Sequence, residues 1–489
     1  MAIEEIASLV GWLTGSLGAI LVACAALEAI ELIELVAWRR TIDRPAPRRG
    51  TSRPFVSFHV PICSEPPEVV AATLLALSKL DYDAFEVLVI DNNTKDERLW
   101  QPVERQCREL GSRFRFTHLP TWPGFKAGAL NYALGQTAPE ATLISVIDAD
   151  YEIDPNYLAD IVGLFEDETV AFVQTPQDYR NWALGPFFRM CHCEYWQVFA
   201  VSMVLRNRRN SILMHGTMNL VRRDEVVRSG GWAEWCLTED SELGLRILAA
   251  GHHGVYVSKT YGRGLLPFSY RDYKRQRRRW VIGGAQQLRR HLGLFLPWTN
   301  GGGGLTLMQK LHYLQGWLPW FRDGVIVASV PLSVALGAAA LCGLARPDVL
   351  TGPAVGMIAI LLQLAVRQVV VFRAYLSLPW RDTLGAFVAG SSLTWAVGCG
   401  WLAGLTGREQ VFQRTPKRLQ NVIGVAGSVR AELAVGLLTL LLGLAIVFKL
   451  GSTGGWTATA LFAYAALLLP AIWMARLSAR AAADAANQD

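Results

Sequence analysis

The hydrophobic positions of this chain form long runs near both ends and short runs in the middle. The first long run, residues 9–27, interrupts its apolar side chains only with Thr14, Ser16 and small residues. About 20 apolar residues are enough for a helix to cross a membrane, so we predict an N-terminal transmembrane helix within residues 1–38. The flanking charges place residue 40 onward in the cytoplasm by the positive-inside rule, in the reverse order of a signal peptide. These charges are Glu4 and Glu5 before the run and Arg39, Arg40, Arg44, Arg48 and Arg49 after it.

Three glutamates, Glu28, Glu31 and Glu34, recur at helical spacing just beyond this run. We favour the interpretation that they form an interfacial helix face, which pairs with the arginines that follow. The alternative is a polar lining for a translocation path, since ionisable groups at membrane depth usually face a bundle interior or a cavity. The sequence leaves both interpretations open.

From residue 39 to residue 300, short β-rich runs alternate with helical stretches, a pattern typical of an α/β domain. Residues Val69 to Leu80 and Ala127 to Leu134 are predicted to be amphipathic helices. Helices between successive strands imply a largely parallel sheet, which binds ligands at the carboxyl ends of its strands. Asp91 and Asp148 stand at two such ends. The predicted strands are Phe55 to Ile62, Glu86 to Asn92, Phe114 to His118, Leu143 to Ile147 and Val170 to Gln174.

Residues 301–489 become membrane-like again. If residues 387–405 crossed the membrane, the basic loop after them would lie outside, against the positive-inside rule. We therefore predict about four transmembrane helices here and one interfacial helix over residues 387–405, which makes five crossings in the whole chain. The apolar segments are Trp317 to Leu344, Val355 to Val371, Ser391 to Leu405, Leu433 to Leu450 and Ala458 to Met474.

Composition agrees with a chain that is partly membrane-embedded. Of 489 residues, 52% are hydrophobic, and the mean hydropathy is +0.25. The net charge of +6 is compatible with anionic lipid, phosphate-bearing substrates or cytoplasmic loops, so it does not choose among them. We expect membrane lipids as a partner and no nucleic acid. The eight cysteines show no CxxC pair, which favours buried or free thiols over a metal or disulfide framework.

Two aspartates, Asp148 and Asp150, follow the predicted strand that ends at Ile147. Carboxylates one residue apart at a strand end can hold Mg²⁺ or Mn²⁺, and that cation can neutralise a diphosphate leaving group. Such pairs also occur in ordinary surface turns. The apolar strand before the pair favours the metal interpretation.

Three further positions carry candidate chemistry. Asp240 begins a predicted helix, Asp240 to Ala250, where it serves either as a general base or only as a complement to the helix dipole. The basic stretch of residues 271–279 ends at Trp280, and an arginine fork can hold a diphosphate while an indole stacks on a sugar ring. Lys126 opens a helix, a place that suits phosphate binding, although an exposed lysine is the ordinary alternative.

In order along the chain, these motifs resemble those of the membrane-integrated, processive family-2 glycosyltransferases, the group of cellulose, hyaluronan and related β-glucan synthases. The ordered D, DxD, (T/E)D, QxxRW series is specific, whereas any single member is not. The amino-acid sequence of the soluble domain resembles bacterial β-1,3-glucan synthases more than cellulose synthase. The matching stretches are residues 60–66, Asp91, residues 125–131, Asp148–Asp150, residues 174–176, residues 238–240 and residues 276–280.

The resemblance implies a GT-A fold inserted between transmembrane helices, a UDP-sugar donor, a divalent metal and inversion of the anomeric centre. It also implies a role for each matching residue. Glu65 and Asp91 would lie by the uridine, and Lys126, Gln276 and Arg279 would contact the diphosphate. Asp148 and Asp150 would bind UDP and the metal. Asp240 would be the general base, and Trp280 would stack on the acceptor sugar near His215, Gly216 and Thr217.

A loop within residues 408–420 resembles the gating loop FxVTxKG of bacterial cellulose synthase. Phe412, Thr415 and Lys417 match that motif. Arg414 and Arg418 depart from it, at positions where valine and glycine are expected. The resemblance implies that this loop enters the active site when substrate binds.

We therefore expect processive transfer of glucose from UDP-glucose to a growing β-glucan, with export through the cytoplasmic (inner) membrane and with possible accessory export subunits. The first alternative is a lipid glycosyltransferase of the ceramide glucosyltransferase kind, which adds one sugar to a lipid acceptor. A transporter or nucleotide sensor without catalysis is a remote alternative, because polar residues inside the spans are few. Sequence alone does not fix the donor sugar or the linkage.

Overall fold

The computed structural model of the chain describes residues 2–41, 44–296, 304–407, 416–417 and 424–486. Its centre is an α/β domain with ten strands. They are β1 (Phe55–Ile62), β2 (Phe85–Asn92), β3 (Phe114–Leu119), β4 (Ala141–Val146), β5 (Glu152–Ile153), β6 (Val170–Gln174), β7 (Asp178–Tyr179), β8 (Asn219–Arg222), β9 (His253–Tyr256) and β10 (Gly262–Gly264).

Seven of these strands form one mixed sheet in the order β3-β2-β1-β4-β8-β6-β9. Four neighbouring pairs run parallel, whereas β8 is antiparallel to both β4 and β6. The remaining strands form a small sheet in the order β5-β10-β7. The parallel half matches the expected sheet, and the antiparallel insertion of β8 was not predicted.

The helices fall into two groups, those around the sheet and those before and after the domain. The chain begins with α1 (Ala2–Trp38). The domain contains α2 (Pro67–Ser78), α3 (Glu97–Leu110), α4 (Phe125–Gln136), α5 (Tyr157–Ile161), α6 (Pro186–Gln197), α7 (Met203–Asn207), α8 (Arg223–Arg228), α9 (Glu239–Ala249), α10 (Tyr270–Arg290) and α11 (Leu292–Phe295). The last group comprises α12 (Leu307–Leu341), α13 (Thr351–Arg367), α14 (Trp380–Ser391), α15 (Thr394–Leu405), α16 (Val425–Ser428), α17 (Arg430–Leu450), α18 (Gly455–Leu468) and α19 (Pro470–Ala486).

The parallel strands position polar residues at one edge of the sheet. All eight residues of β2 are buried, as expected for a strand covered on both faces. In the register of β1, β2 and β3, Ile62 lies opposite Asp91 and Asp91 lies opposite His118. The carboxyl ends of these strands therefore meet at one level, and the segments that leave them border a common space.

Among the described residues, four helical segments are long and apolar enough to cross a membrane: Leu307–Leu341, Thr351–Tyr375, Trp380–Leu405 and Arg430–Asp484. The third contains the region expected to be interfacial. It is divided at residues 392–393 into α14, which packs on α6, and α15, which packs along α10. The predicted interfacial placement of residues 387–405 stays a prediction, as does the number of crossings.

Helix α1 packs closely along α13 through two glycines. A Cβ atom on Gly18 would overlap the carbonyl oxygen of Gly352, and one on Gly352 would overlap that of Thr14. The two helix backbones can approach this closely only because these positions lack side chains. The crossing thus fixes α1 against the helices that follow the α/β domain.

The glutamates of α1 find their partners far along the chain. Glu28 accepts hydrogen bonds of 2.9 and 2.7 Å from Arg322, and Glu31 lies 3.4 Å from Arg367. We expected these glutamates to pair with the arginines that follow α1 in the sequence, and this prediction is wrong for Glu28 and Glu31. Two of those arginines instead bind the α/β domain, where Arg48 pairs with Glu166 and Arg49 with Asp160. The reason is that α1 runs along α12 and α13, which presents its acidic face to their basic residues.

Candidate active site

One cavity of about 680 Å³ begins at the carboxyl ends of β1, β2 and β4 and extends to α1, α12 and α13. It gathers most of the residues singled out in the sequence, although they come from distant parts of the chain. Those that line it are Glu65, Lys126, Asp148, Asp150, His215, Gly216, Asp240, Gln276, Arg279, Trp280 and Lys417. Asp91 and Thr217 do not line it.

Asp150 lies deep in this cavity, with 1% of its surface exposed. Its Oδ2 atom accepts hydrogen bonds of 2.8 Å from the backbone N–H of Leu265 and from the ammonium of Lys417. Its Oδ1 atom is buried and has no hydrogen-bond partner among the residues that the structure describes. A buried carboxylate oxygen without a partner is energetically unfavourable, so this atom suits a bound cation.

Asp148 provides the second carboxylate and is more accessible, with 37% of its side chain exposed. Its backbone N–H donates to the hydroxyl of Thr217, which fixes the turn after β4. Within the described ranges, no group of three or more His, Cys, Asp or Glu side chains could hold a metal on its own. Mg²⁺ in nucleotide sites is usually held by one or two carboxylates together with substrate phosphates. Asp148 and Asp150 fit a cation of that kind.

Lys126 is held at the start of α4, next to Asp148. Its ammonium lies 2.6 Å from Asp148 Oδ1 and 2.9 Å from the carbonyl oxygen of Gly216, which it contacts as a donor. Burial opposes the charged form, but the carboxylates of Asp148, Glu239 and Asp240 outweigh it and raise the pKa of Lys126. The cavity thus keeps a positive charge beside the DxD pair, where a diphosphate needs one.

Asp240 lies in the first turn of α9 and faces the same space. Burial deep in the molecule raises the pKa of Asp240, although Lys126 opposes the shift. Burial likewise raises the pKa of the adjacent Glu239. A Cβ atom on Gly216 would lie 3.0 Å from Asp240 Oδ2 and 2.9 Å from the Lys126 ammonium, so a side chain there would displace these two groups. The arrangement leaves Asp240 facing the cavity as a carboxylate of increased basicity.

Trp280 packs on α6 and is oriented by its neighbours. Its ring centroid lies 5.1 Å from that of Tyr195, and the Arg277 guanidinium lies 4.6 Å from the indole centroid. Arg277 is itself fixed by a 2.6 Å ion pair with Glu194, which also accepts a hydrogen bond from the hydroxyl of Tyr273. The indole is therefore held in a defined orientation against the cavity.

Arg279 and Gln276 share the helix α10 with Trp280 and line the cavity. Burial lowers the pKa of Arg279, and the nearby carboxylates of Glu239 and Asp148 oppose this shift. A guanidinium remains protonated under all ordinary conditions, so Arg279 adds a second positive charge near the DxD pair.

The segment of residues 215–217 is fixed by its backbone. The side chain of Gln174 accepts a 2.7 Å bond from the N–H of His215 and donates a 3.0 Å bond to the carbonyl oxygen of Thr217. Burial, together with Arg206, lowers the pKa of His215 to about 3, so its imidazole is neutral at physiological pH. His215 and Gly216 face the cavity, whereas Thr217 supports Asp148 from behind.

Asp91 lies just behind the cavity wall, with 1% of its surface exposed. One carboxylate oxygen accepts from the hydroxyl of Thr94 and the other lies 2.7 Å from Nδ1 of His118. The ring of Trp100 stacks on His118 with centroids 4.3 Å apart. Burial raises the pKa of Asp91, although these hydrogen bonds oppose the shift. Its neighbours Asn92 and Asn93 line the cavity, as does Glu65.

The gating-like loop is only partly described. Phe412 and Thr415 lie outside the described residues. Lys417 lies 2.8 Å from Asp150 Oδ2, and Asp150 and Glu65 raise its pKa against the effect of burial. The ammonium of Lys417 thus occupies Oδ2 of Asp150 and leaves the buried Oδ1 as the oxygen that suits a cation.

Sequence reasoning missed several residues of this cavity. The aromatic side chains of Tyr151, Tyr179 and Tyr195 line it, as do Gln177 and Glu194. None of them belongs to a motif with fixed spacing. The only available signal was the Arg277 guanidinium inside the basic stretch, which required a buried acidic partner.

Two family models match the chain. The model described as "Glycosyl transferase family 2" matches residues 57–228, and the one described as "Glycosyl transferase family group 2" matches residues 143–342. Together they cover the α/β domain and the beginning of the membrane-like part.

Curated relatives match about half of the chain. A probable glucomannan 4-beta-mannosyltransferase 2 of Oryza sativa subsp. japonica is 26% identical over 245 residues, 48% of this chain and 42% of the relative. The "Cellulose synthase catalytic subunit [UDP-forming]" of Xanthomonas axonopodis pv. citri is 27% identical over 296 residues, 58% of this chain and 37% of the relative. The match spans less than half the length of each of these relatives.

A solved structure shares the fold. The mannosyltransferase PcManGT from Pyrobaculum calidifontis, solved in complex with GDP-Man and Mn²⁺, aligns with a TM-score of 0.51 at 20% identity. The alignment covers 78% of this chain and 99% of that one. At this level of identity, the similarity shows that the two proteins share a fold and nothing about their substrates.

Proposed function

Because residues 57–342 of the chain carry glycosyltransferase family 2 domains on a GT-A fold, we propose that the protein transfers glucose from UDP-glucose to a growing β-glucan, with inversion at the anomeric carbon. The reaction is processive, and the product leaves through the protein's own helices across the cytoplasmic membrane. The observation that carries this proposal is the single cavity that contains Asp150, Asp240 and Trp280 and continues to α1 and α12.

Asp240 acts as the general base. Its carboxylate takes the proton of the acceptor hydroxyl while that oxygen attacks the anomeric carbon of the donor sugar. The bond from this carbon to the diphosphate breaks, and UDP leaves with the electron pair. The raised pKa of Asp240 favours proton uptake at this step.

The diphosphate occupies the space next to Asp148. Lys126 and Arg279 supply positive charge there, with Gln276 as a hydrogen-bonding neighbour. Mg²⁺ or Mn²⁺, when bound, would neutralise the leaving group, and Asp150 and Asp148 would hold the ion. Glu65, Asn92 and Asn93 line the part of the cavity left for the uridine.

The acceptor lies on the Trp280 side. The indole provides a flat apolar surface for the terminal sugar, and His215 and Gly216 border the same space. Beyond Trp280 the cavity continues between helices long enough to cross a membrane, which gives the polymer a path outward. We assign the catalytic domain to the cytoplasmic side on the charge asymmetry around α1.

The donor sugar needs a direct test, because named relatives include both mannosyltransferases and a UDP-forming cellulose synthase subunit. Purified full-length protein in lipid nanodiscs would receive labelled UDP-glucose, UDP-N-acetylglucosamine or GDP-mannose with Mg²⁺, with Mn²⁺ or with EDTA. The product would then be digested with linkage-specific glucanases and mannanases. We expect metal-dependent polymer from UDP-glucose and none after EDTA.

Other outcomes would replace parts of this proposal. Incorporation from GDP-mannose alone would replace the donor. Label found only in a lipid-linked monosaccharide would select the single-addition lipid glycosyltransferase. Absence of nucleotide release from every donor, in protein that still binds UDP, would exclude the transferase and favour a nucleotide sensor.

A further inference from the structure

The cavity does not end at Trp280, and its far part is strongly charged. It reaches Glu28 on α1 and Arg322 and Asp323 on α12, and α12 is one of the helices long and apolar enough to cross a membrane. Arg322 donates to both carboxylate oxygens of Glu28 at 2.9 and 2.7 Å, and through Nε and Nη2 to Asp323 Oδ1 at 3.0 Å each. The three residues form what we call the acidic triad, with two carboxylates around one guanidinium.

Removing the three charged side chains of the acidic triad from water costs free energy, so their buried position needs an explanation. Glu28 is 4% exposed, Arg322 8% and Asp323 7%. Replacing a buried ion pair by apolar residues is often neutral or stabilising, so an ion pair is a poor way to hold two helices together. Ionisable residues at membrane depth more often mark the path of a polar ligand.

Unpartnered amides lie along the same part of the cavity. Gln315 Nε2 and Gln368 Oε1 are buried and have no hydrogen-bond partner among the described residues. Both residues line the cavity, as do Trp317 and Trp320. A cavity that presents unpartnered amide atoms and indole rings fits a ligand that offers hydroxyl groups and an apolar ring face, as a pyranose does.

The acidic triad follows Trp280 closely along the cavity wall. Gly284 lies one helical turn after Trp280 on α10, a rise of about 6 Å. The ring of Trp320 packs on it, since a Cβ atom on Gly284 would lie 2.5 Å from Trp320 Cζ3. Arg322 and Asp323 follow directly on the same helix as Trp320. Trp280, Trp320 and the acidic triad thus line the same cavity.

Carboxylates outnumber cations along this part of the cavity. Glu31 lies 3.4 Å from Arg367 and accepts a hydrogen bond from Ser202, so that pair is balanced. Arg206 also lines the cavity, and its guanidinium donates to the backbone carbonyls of Ser211 and His312. Glu34 also lines the cavity. The two carboxylates of the acidic triad share one guanidinium, which leaves one negative charge among three buried side chains.

We propose that the acidic triad, with Gln315, Gln368 and Trp320, forms a charge-selective carbohydrate site on the exit side of the transfer point. It binds uncharged sugar units of the product and repels units that carry a carboxylate. This proposal rests on the proposed function and deepens it, because it restricts the polymer to neutral sugars. The repulsion arises because like charges in a low-dielectric passage are screened weakly.

The test measures binding, so that it does not depend on turnover. Purified full-length protein in phosphatidylcholine nanodiscs would be titrated calorimetrically with a neutral β-linked gluco-oligosaccharide of five units. The same oligosaccharide, oxidised to carboxylates at its C6 positions, would be titrated in parallel. We expect the neutral ligand to bind at least about tenfold more tightly, which corresponds to ~1.4 kcal/mol.

The variants Glu28→Gln and Asp323→Asn should reduce this ratio to below about threefold, because each removes one carboxylate and keeps the side-chain shape. Asp348→Asn is the matched control, since Asp348 forms an exposed ion pair with Arg346 outside the cavity. That control should keep the wild-type ratio. Gln368→Met removes the unpartnered amide without touching an ion pair, and we expect it to weaken the neutral ligand by about three- to tenfold.

Each outcome decides the proposal. Equal binding of neutral and oxidised ligands by the wild type would overturn charge selection. An unchanged ratio in Glu28→Gln and Asp323→Asn would also overturn it. If both variants fail to fold, unchanged affinity of Gln368→Met for the neutral ligand would overturn the site. Loss of nucleotide release with selective binding intact would refute the proposed function instead, so the two failures are distinguishable.

Discussion

At the scale of single residues, the candidate chemistry depends on Asp240 because it is a carboxylate of raised pKa that faces the transfer cavity. Replacing Asp240 with Asn keeps the shape and removes the base. We expect glycosyl transfer to fall by ~10²–10⁴ while UDP-glucose binding is retained. Radiolabel incorporation and equilibrium binding would measure the two effects separately.

The matched control for this variant is Asp224→Asn, because the Asp224 side chain is 78% exposed on α8. It should leave both transfer and binding unchanged. Wild-type transfer by the Asp240→Asn protein would remove the base role from this residue and leave Glu239 as the neighbouring candidate.

The pH dependence of transfer follows from the same residue. Burial raises the pKa of Asp240, and a general base works only in its deprotonated form. Activity should therefore fall as the pH drops through this raised pKa, at a higher pH than the value of about 4 of a free aspartate. A kcat profile under saturating UDP-glucose and acceptor measures the acid limb. An acid limb at or below pH about 4 would contradict the assignment.

The sequence was sufficient to predict the site residues that belong to motifs. Asp148, Asp150, Asp240 and Trp280 were named from their spacing, and the structure brings them to one cavity. Their hydrogen-bond partners were not predictable in this way. Lys417 meets Asp150 across 267 positions of sequence, and only the folded chain brings such distant groups into contact.

At the scale of elements, β1 and β6 agree with the predicted bounds, because both are apolar runs bounded by polar residues or turns. Strand β8 escaped prediction because it has only four residues and depends on its ladders with β4 and β6. The apolar segment predicted to begin at Ala458 proved to be two helices, with Pro470 at the start of α19. Proline fits the first turn of a new helix, where its missing N–H costs no hydrogen bond.

The contact between α1 and α13 gives a testable prediction at this scale. Gly18→Ala places a methyl group against the carbonyl oxygen of Gly352, so the helices must separate. We expect destabilisation by ~1–3 kcal/mol, the usual effect of overpacking. Thermal unfolding of the detergent-solubilised protein would show it as a lowered midpoint.

Gly11→Ala is the control on the same helix, because a Cβ atom there would meet nothing within 4 Å. Alanine also has the higher helix propensity, so this variant should be neutral or slightly stabilising. Equal midpoints for the two variants would mean that the crossing of α1 and α13 tolerates separation.

At the scale of the whole molecule, one cavity contains the candidate donor site and also reaches α1, α12 and α13. Sequence predicted both parts but not their connection. The ion pair between Glu28 and Arg322 spans 294 positions, and both residues line the cavity, so α1 forms part of its wall. Long-range side-chain pairing of this kind depends on the packing of the helices, which a single sequence does not reveal.

Under the proposed function, Trp280 is the residue where transfer and export meet. The indole lies on α10 between the DxD region and Trp320, and Tyr195 and Arg277 fix its orientation. Trp280→Ala should reduce elongation by about three- to tenfold more than hydrolysis of UDP-glucose, because loss of a ring contact of ~0.5–1.5 kcal/mol affects the acceptor and not the donor. Product length by gel filtration and UDP release without acceptor would be compared.

Two variants sharpen this comparison. Trp280→Phe keeps an aromatic face and should retain much of the product length. Trp235→Ala removes a half-exposed indole outside the cavity and should leave both readouts unchanged. If Trp280→Ala lowered elongation and hydrolysis equally, the indole would support the donor site, and the acceptor would have to be bound elsewhere along the passage. A selective loss of elongation would instead mean that the growing chain is held at Trp280 while its older units move on toward the acidic triad.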